Sequence, residues 1–370
     1  MTSLHVITFH VPFPPNYGGA VDVYYKLKSL HEAGYKVILH TFLYDGEMKD
    51  ELNEVCYKVY YYKRKQNILS HLTLNPYIVQ SRKNSELLNN LLLDDHPILF
   101  EGLHSCYYLT ENKLKNRIKY VRTHNVEHDY YHHLYVNSNW GIKKLYYYIE
   151  SLKLKLYERV LNKADRILAI SQSDYSYFKN TYNKKDIRLL RCFFDISFEN
   201  DSFGTDRFIL YHGNLSVQEN ITAVLFIINE IMPLLPEDYK IIIAGRNPSS
   251  IISKEITKHK NAELISNPDN ELLNRLISSA RINLLLTFQP TGIKLKLLNT
   301  LVNGRGHCVV NKAMISGNDL ADLCIVSDTK FEISESIKHL IDVIPSEDCL
   351  LNRRQAIFDM GYNDISPIIS

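Results

Sequence analysis

Residues 4–19 read Leu4-His5-Val6-Ile7-Thr8-Phe9-His10-Val11-Pro12-Phe13-Pro14-Pro15-Asn16-Tyr17-Gly18-Gly19. The apolar, β-branched run Leu4–His10 predicts a strand, and a stiff proline turn then delivers two glycines to a helical pattern over about Ala20–Ala33. Gly34 stops that helix, because glycine takes the left-handed position after a last turn without strain. Lys36–Phe42 follows as a second strand. Strand, helix and strand make one βαβ unit, the building block of a parallel sheet.

The alternation continues outward from this unit. Further strands are predicted at Val55–Tyr60, Ile98–Glu101, Ile118–His124, Arg166–Ile170 and Ile187–Cys192. Asn125–Lys163 carries no strand signal and reads as two helices, the second from about Trp140, with Leu145, Ile149, Leu152, Leu156 and Val160 at helical spacing. The polar stretch Asp195–Asp206 reads as a linker. A second alternating set begins after it, with strands at Phe208–His212, Tyr239–Ala244, Ala262–Ile265, Ile282–Phe288, His307–Asn311 and Leu323–Ser327, and Glu347–Ile357 reads as a terminal helix. The predicted class is α/β, with two Rossmann-like doubly wound domains: residues 1–200, residues 201–346, and a tail over 347–370. At roughly 150 residues per domain, the length also gives two.

Hydrophobic side chains make up 45% of the chain and charged ones 23%, the balance of a folded globular protein. The net charge of +2 conceals an asymmetry: residues 1–195 hold 27 Lys and Arg against 20 Asp and Glu, and the remainder holds 16 against 21. That excess is too small to indicate nucleic acid; it fits an anionic membrane surface, a phosphate-bearing ligand or a plain solvated face. Cys56, Cys106, Cys192, Cys308, Cys324 and Cys349 show no C-x-x-C spacing and read as small core residues in a reducing cytoplasm. The first residues show neither a signal-peptide nor a membrane-span pattern, so membrane contact is expected to be peripheral. The run Tyr57-Lys58-Val59-Tyr60-Tyr61-Tyr62-Lys63-Arg64-Lys65 is a candidate for it, with an exposed strand-to-loop transition as the alternative.

Open α/β sheets bind ligands beyond the carboxyl ends of their strands. Gly18 and Gly19 allow backbone N–H groups to approach a ligand at a helix N-terminus, where partial positive charge favours a phosphate or oxyanion. A structural turn is the alternative reading. Glu101-Gly102-Leu103-His104 follows a strand and offers an imidazole suited to hydrogen bonding or proton exchange with a hydroxyl, and Glu101 as a competing carboxylate base. The densest polar cluster, Arg122–Tyr130, contains His124, Asn125, Glu127 and His128. Its histidines lack the H-E-x-x-H arrangement of a zinc protease. Ser171 reads as a helix cap. In the second half, Gly213-Asn214, Arg246 and the stretch Phe288–Asn299 follow strands. The last bends at Pro290 and Gly292 and opens a helix bearing Lys294 and Lys296, of which Lys296 is the preferred phosphate ligand. Residues two apart diverge on a helix, so the two lysines need not reach one diphosphate.

The proline-rich turn ending in Gly18-Gly19 ahead of a helix resembles the first loop of family 4-type retaining glycosyltransferases, and His124-Asn125-Val126-Glu127-His128 resembles the H-N-x-E-H segment of some bacterial members. The resemblance implies a GT-B fold, in which the two domains face a central cleft and the last helix crosses back to the first. It implies transfer of a sugar, with retention, from a nucleotide-diphosphate sugar to a hydroxyl of a glycan or glycolipid acceptor. His104 and Glu101 are then the catalytic candidates, and Gly18, Gly19, His124, Asn125 and Glu127 the acceptor-side ones. Gly213, Asn214, Arg246, Thr291, Gly292, Lys294, Lys296 and Asn299 fall on the donor side. No cofactor, no metal and no nucleic-acid partner is implied, and the site of action is the cytoplasm at the inner face of a membrane. The family's usual pair of glutamates, eight positions apart, is replaced by Thr291 and Asn299, which resembles a variant subgroup. Two rivals stand beside this reading: a nucleotide-sugar epimerase of the same fold, and a non-catalytic carbohydrate- or nucleotide-binding protein. A dehydrogenase is disfavoured because the first turn lacks G-x-G-x-x-G.

Overall fold

The computed structural model describes residues 2–15, 18–44, 47–138, 140–195, 205–289, 294–317 and 319–369. The chain forms two units, Met1–Phe194 with Gly361–Ser370, and Asp195–Met360. Most of the expected linker Asp195–Asp206 lies outside the described residues.

The first unit is built on β1 (Ser3–Ile7), β2 (Lys36–Leu43), β3 (Lys58–Lys63), β4 (Ile98–Glu101), β5 (Lys119–Arg122), β6 (Arg166–Ala169) and β7 (Asp186–Leu189). Their order is β3-β2-β1-β4-β5-β6-β7, and all pairings are parallel. The strand order reverses between β1 and β4, where His5 pairs with Ile98 and Ile7 with Phe100. Both faces of such a sheet are covered, which is why Leu4, Val6 and Ile7 are all buried and the strand reads as a nearly unbroken apolar run. Helix α1 (Gly18–Glu32) joins β1 to β2 and ends as Gly34 turns at φ +82°, with the Tyr35 N–H bonded back to the Leu30 carbonyl at 3.0 Å. Polar groups do enter this core. His5 Nδ1 lies 2.8 Å from His40 Nε2, Asp94 meets His5 at 2.9 Å, and the Tyr62 hydroxyl meets His40 Nδ1 at 2.8 Å. Burial lowers the pKa of both imidazoles, so this chain exchanges hydrogen bonds between neutral rings.

The third strand begins three residues later than the pattern predicts. Leu52, Val55 and Cys56 are buried in and just after the tight turn Asp50–Glu54, and a short apolar run does not distinguish such a turn from a strand. The aromatic–basic run is therefore the edge strand β3, and its rings are largely engaged: Tyr60 stacks on His40 at 5.1 Å, Tyr61 donates to the Lys49 carbonyl at 2.9 Å, and Tyr62 is buried.

Asn125–Lys163 contains α2 (Glu127–Asn137) and α3 (Ile142–Tyr157), which pack on each other. The helical apolar stripe of α3 points outward: Leu145, Ile149, Leu152 and Leu156 are exposed, and Glu150, Ser151 and Leu154 face inward. Helix α4 (Gln172–Thr181) follows β6, its N-terminus capped by Ser171 Oγ, which accepts the Asp174 N–H at 3.1 Å.

The second unit contains β8 (Asp206–Asn214), β9 (Lys240–Arg246), β10 (Ala262–Ser266), β11 (Ala280–Leu285), β12 (His307–Val310) and β13 (Ile325–Val326). The order is β10-β9-β8-β11-β12-β13, again wholly parallel. Helix α5 (Gln218–Phe226) follows β8, and α6 (Leu295–Asn303) follows β11. Helix α7 (Glu347–Asp359) belongs to this unit and is pinned by Arg353, whose guanidinium reaches the Leu301 carbonyl at 2.8 Å and the Gly306 carbonyl at 3.1 Å. Residues Gly361–Ser370 return to the first unit, where Asn363 exchanges two hydrogen bonds with the backbone of Phe194, at 2.9 and 3.0 Å. Among the described residues no helix is long and apolar enough to cross a membrane.

Candidate functional site

In the first unit the polar residues collect at the carboxyl ends of β4 and β5. Asp22 and Lys26, one turn apart on the inner face of α1, meet Glu101 and Arg122 there. Lys26 Nζ lies 2.8 Å from Glu101 Oε2 and 4.0 Å from Asp22 Oδ2. Arg122 forks onto both oxygens of Asp22, with Nη2 3.0 Å from Oδ1, and its Nη1 is 3.8 Å from Glu101 Oε2. His124 completes the cluster, Nε2 at 2.9 Å from Glu101 Oε2 and Nδ1 at 3.8 Å from Asp22 Oδ2. All four charged side chains are buried. Burial alone would raise the Glu101 carboxyl, but Lys26, the His124 hydrogen bond and Arg122 outweigh it and hold it down at about 2. A carboxylate that acidic, and so enclosed, is a poor base; it fixes His124 instead.

His104 sits beyond this cluster. Gly102 turns at φ +71°, and a Cβ there would stand 3.2 Å from His104 Nδ1, so glycine permits the loop to bring the imidazole this close. The ring stacks on Phe9, centroids 4.9 Å apart, and Nδ1 lies 3.7 Å from Glu127 Oε1. Both of these atoms are buried without a hydrogen-bond partner. Burial, followed by Arg82 and His124, lowers the imidazole pKa well below its ordinary value. Burial also pushes the Glu127 carboxyl up to about 8, against a hydrogen bond from Asn125. At neutral pH, therefore, Glu127 retains its proton and His104 is uncharged.

A cavity of about 670 Å³ opens beside His104, walled by Phe9, Tyr44, Tyr77, Tyr131 and Tyr146. Arg64 lies over the rings of Tyr44 and Tyr77 at 4.5 and 4.9 Å and donates to Ser81 Oγ at 2.8 Å. Behind Tyr44, buried Arg82 donates to the Tyr44 hydroxyl and the Phe9 carbonyl, both at 2.8 Å. Ring faces with a few fixed polar groups suit a sugar, which presents C–H faces and hydroxyl edges. Gly18 and Gly19 open α1, whose first turn carries no acidic residue. His128 is drawn elsewhere, its Nδ1 3.1 Å from Glu158 Oε2, so His124, Glu127 and His128 face three different partners. Among the described residues, no group of three or more His, Cys, Asp or Glu is arranged to hold a metal ion.

In the second unit the polar residues gather where α5 and α6 begin. Thr291 and Gly292 lie outside the described residues. Lys294 is the cap residue of α6, at φ −94° and ψ 77°, and Lys296 lies in its first turn. Because Lys294 is not yet helical, the two ammoniums converge on adjacent residues of α5. Lys294 Nζ is 3.2 Å from Glu219 Oε1, and Lys296 Nζ is 3.0 Å from Asn220 Oδ1 and 3.3 Å from the Tyr211 hydroxyl. Burial lowers the Lys296 pKa to about 8, with Glu219 opposing. Asn220 also donates to the Asn214 carbonyl at 2.9 Å, and a Cβ on Gly213 would stand 3.1 Å from its Nδ2, so the turn after β8 closes onto the same place. Arg246 reaches Asn270 Oδ1 at 3.3 Å, and Asn299 accepts from Asn303 one turn along α6. Neither of these contacts points to the lysine pair.

No family model matches the chain. It is 28% identical over 322 residues to an uncharacterized 44.6 kDa protein in the cps region of Klebsiella pneumoniae, covering 82% of this chain and 81% of that one. Among solved structures, TarM superposes at a TM-score of 0.67 with 11% identity, over 98% of this chain and 97% of its own. The UDP-forming α,α-trehalose-phosphate synthase of Burkholderia vietnamiensis superposes at 0.64 with 9% identity, over 98% and 94%. Identities this low speak for the fold alone: the chain is an α/β protein of GT-B type, with two parallel, doubly wound sheets.

Several of these residues are absent from the sequence-based candidates. Asp22 and Lys26 stand among Val23, Leu27 and Leu30 on the buried side of a helix, and ionic groups at core positions are a readable signal of an internal partner. Glu219 and Asn220 carry no such signal, because polar residues in a first helical turn are ordinary.

Proposed function

We propose that this chain is a retaining, family 4-like hexosyltransferase, holding a nucleotide-diphosphate sugar on the second unit and a glycan or glycolipid acceptor on the first. One observation carries the reading: of the two ammonium groups at the start of α6, Lys294 pairs with Glu219 and Lys296 is held by the neutral Asn220 and Tyr211, leaving a positive charge at the carboxyl end of a doubly wound sheet. A diphosphate supplies the missing negative charge. Uridine diphosphate sugars are the first donors to test, since the trehalose-phosphate synthase of this fold is UDP-forming.

In the proposed reaction the acceptor oxygen bonds to the anomeric carbon as the bond from that carbon to the diphosphate breaks on the same face. The acceptor proton passes to the departing phosphate oxygen. Lys296 stabilises the charge developing on the leaving group, helped by the N-terminus of α6, by Thr291 and Gly292 as proposed donor-side residues, and by Gly213 and Asn214. Arg246 and Asn299 are the remaining proposed donor-side residues. His104, neutral and with Nδ1 toward protonated Glu127, presents Nε2–H to a sugar hydroxyl, so its role is hydrogen bonding rather than proton abstraction. Gly18, Gly19, His124 and Asn125 complete the acceptor side, and Glu101 keeps His124 in place. The proposed setting is the cytoplasmic face of a membrane, in polysaccharide or glycoconjugate synthesis.

A thermal-shift screen of nucleotide sugars, followed by an acceptor panel with the best donor, tests this reading, because a bound donor stabilises the native state. We expect stabilisation by one nucleotide sugar and its marked reduction by Lys296→Ala. His104→Ala should keep donor binding and lower turnover on the order of tenfold to a hundredfold. No stabilisation by any nucleotide sugar defeats the reading, and conversion of the sugar in the absence of acceptor shifts it to an epimerase.

A further inference from the structure

Along α3, Ile142, Leu145, Ile149, Leu152 and Leu156 recur at steps of three and four residues. At 3.6 residues per turn all five fall within an arc of about 80°. Every one is exposed, Ile142 at 90% of its surface. The buried side of the helix mixes polar groups with Leu154: Glu150 accepts the Tyr77 N–H at 2.7 Å and pairs with Lys153 at 3.1 Å. Trp140, 92% exposed, stands just before the helix, and Leu72 and Leu74 are exposed on a segment tied to it by Lys153 Nζ on the His71 carbonyl at 2.8 Å. The charges beside this stripe have one sign. Lys153 borders it on one side and Lys144 and Lys155 on the other, Lys143 lies near the first turn, and the only carboxylate of the helix, Glu150, is buried.

We propose that α3 docks on an anionic lipid bilayer, its apolar stripe at the acyl boundary and its lysines among the headgroup phosphates. An isolated stripe of this spacing also suits a helix pair, but a second copy of α3 would set lysine against lysine, with no exposed carboxylate on either helix to answer them. An anionic surface answers Lys143, Lys144 and Lys155, and Lys153 is already paired with Glu150. The proposal gives peripheral membrane contact a definite place, away from the edge strand β3. Tyr146 of the same helix walls the cavity beside His104, so docking brings that cavity to the membrane surface, where a lipid-linked acceptor would present its glycan. That last step rests on the glycosyl-transfer reading; the docking does not.

Trp140 is the only tryptophan in the chain, and it reports directly on this face. Tryptophan emission of the full chain is followed while vesicles of phosphatidylcholine, alone or mixed with phosphatidylglycerol, are added. We expect a blue shift and cosedimentation with the anionic vesicles only, both weakened by salt. Leu145→Ser with Leu152→Ser should lower vesicle binding by about tenfold or more, leaving the melting temperature and the nucleotide-sugar thermal shift unchanged, since both side chains are already exposed. Absence of a shift with anionic vesicles overturns the proposal, as does vesicle binding that the double variant leaves intact. A blue shift that appears with protein concentration alone, together with a dimer that the variant dissociates, assigns the stripe to a second copy and also overturns it. Because donor binding is read separately, failure of docking and failure of the transferase reading remain distinct results.

Discussion

The charged cluster at the ends of β4 and β5 and the lysine pair at the start of α6 occupy equivalent places in two doubly wound sheets, yet they are balanced differently. In the first, Asp22 and Glu101 answer Lys26 and Arg122, and nothing ionic is left over. In the second, among the described residues, Glu219 pairs with Lys294, and Lys296 meets the neutral Asn220 and Tyr211. The closed cluster holds architecture together and orients His124. The open pair keeps a surplus positive charge. Equal positions in the fold thus serve different ends, and the count of opposite charges, more than the presence of charge, separates them.

The largest expected effect breaks the closed side. Asp22→Asn leaves Arg122 and Lys26 buried with half their compensation, and unfolding by denaturant should show a loss of about 3–5 kcal/mol. A loss below about 1 kcal/mol would mean that the cluster is not held as described. On the open side, Lys296→Ala should weaken nucleotide-sugar binding by about ten- to a hundredfold in calorimetry, with little effect on stability. Binding should also fall as pH rises above about 8, where free Lys296 loses its proton.

A third test concerns Glu127, whose folded pKa of about 8 lies above its ordinary 4.5. Between those values the folded state binds more protons than the unfolded one, so stability falls as pH rises from about 4.5 to 8, by at most ~1.4 kcal/mol per pH unit. Glu127→Gln should flatten that slope; a variant with the wild-type pH profile would show that the carboxyl is ionised in the fold. The smallest effect is assigned to Lys294→Ala, a few-fold loss of donor affinity, because Glu219 already neutralises this lysine. If Lys294 and Lys296 prove equivalent, the inequality drawn between them disappears.

Strands were the most legible feature of the sequence, because parallel strands covered on both faces spell out apolar runs such as Ile98–Glu101 and Tyr239–Ala244. The stripe on α3 was legible as a period but not as a direction. Spacing says which residues share a face, and only packing says whether that face is inside. His104 and the lysine pair stood out because they follow strands. Their partners did not: Lys26 and Glu101 are 75 residues apart and Asp22 and Arg122 are 100 apart, so their meeting is a product of topology. The low acidity of Glu127 likewise depends on burial, which a first-turn glutamate does not announce.

The return of Gly361–Ser370 to the first unit bears on how the chain is made. Ile368 is buried in the same apolar cluster as Leu4, Val6 and Phe193, and Arg166 reaches the Pro367 carbonyl at 2.8 Å. A growing chain exposes the first unit earliest, and domains generally begin to fold in that order. This one stays unsealed until the whole of the second unit has been synthesised. Emergence of residues 361–370, rather than of the first sheet, then becomes the moment at which that core closes.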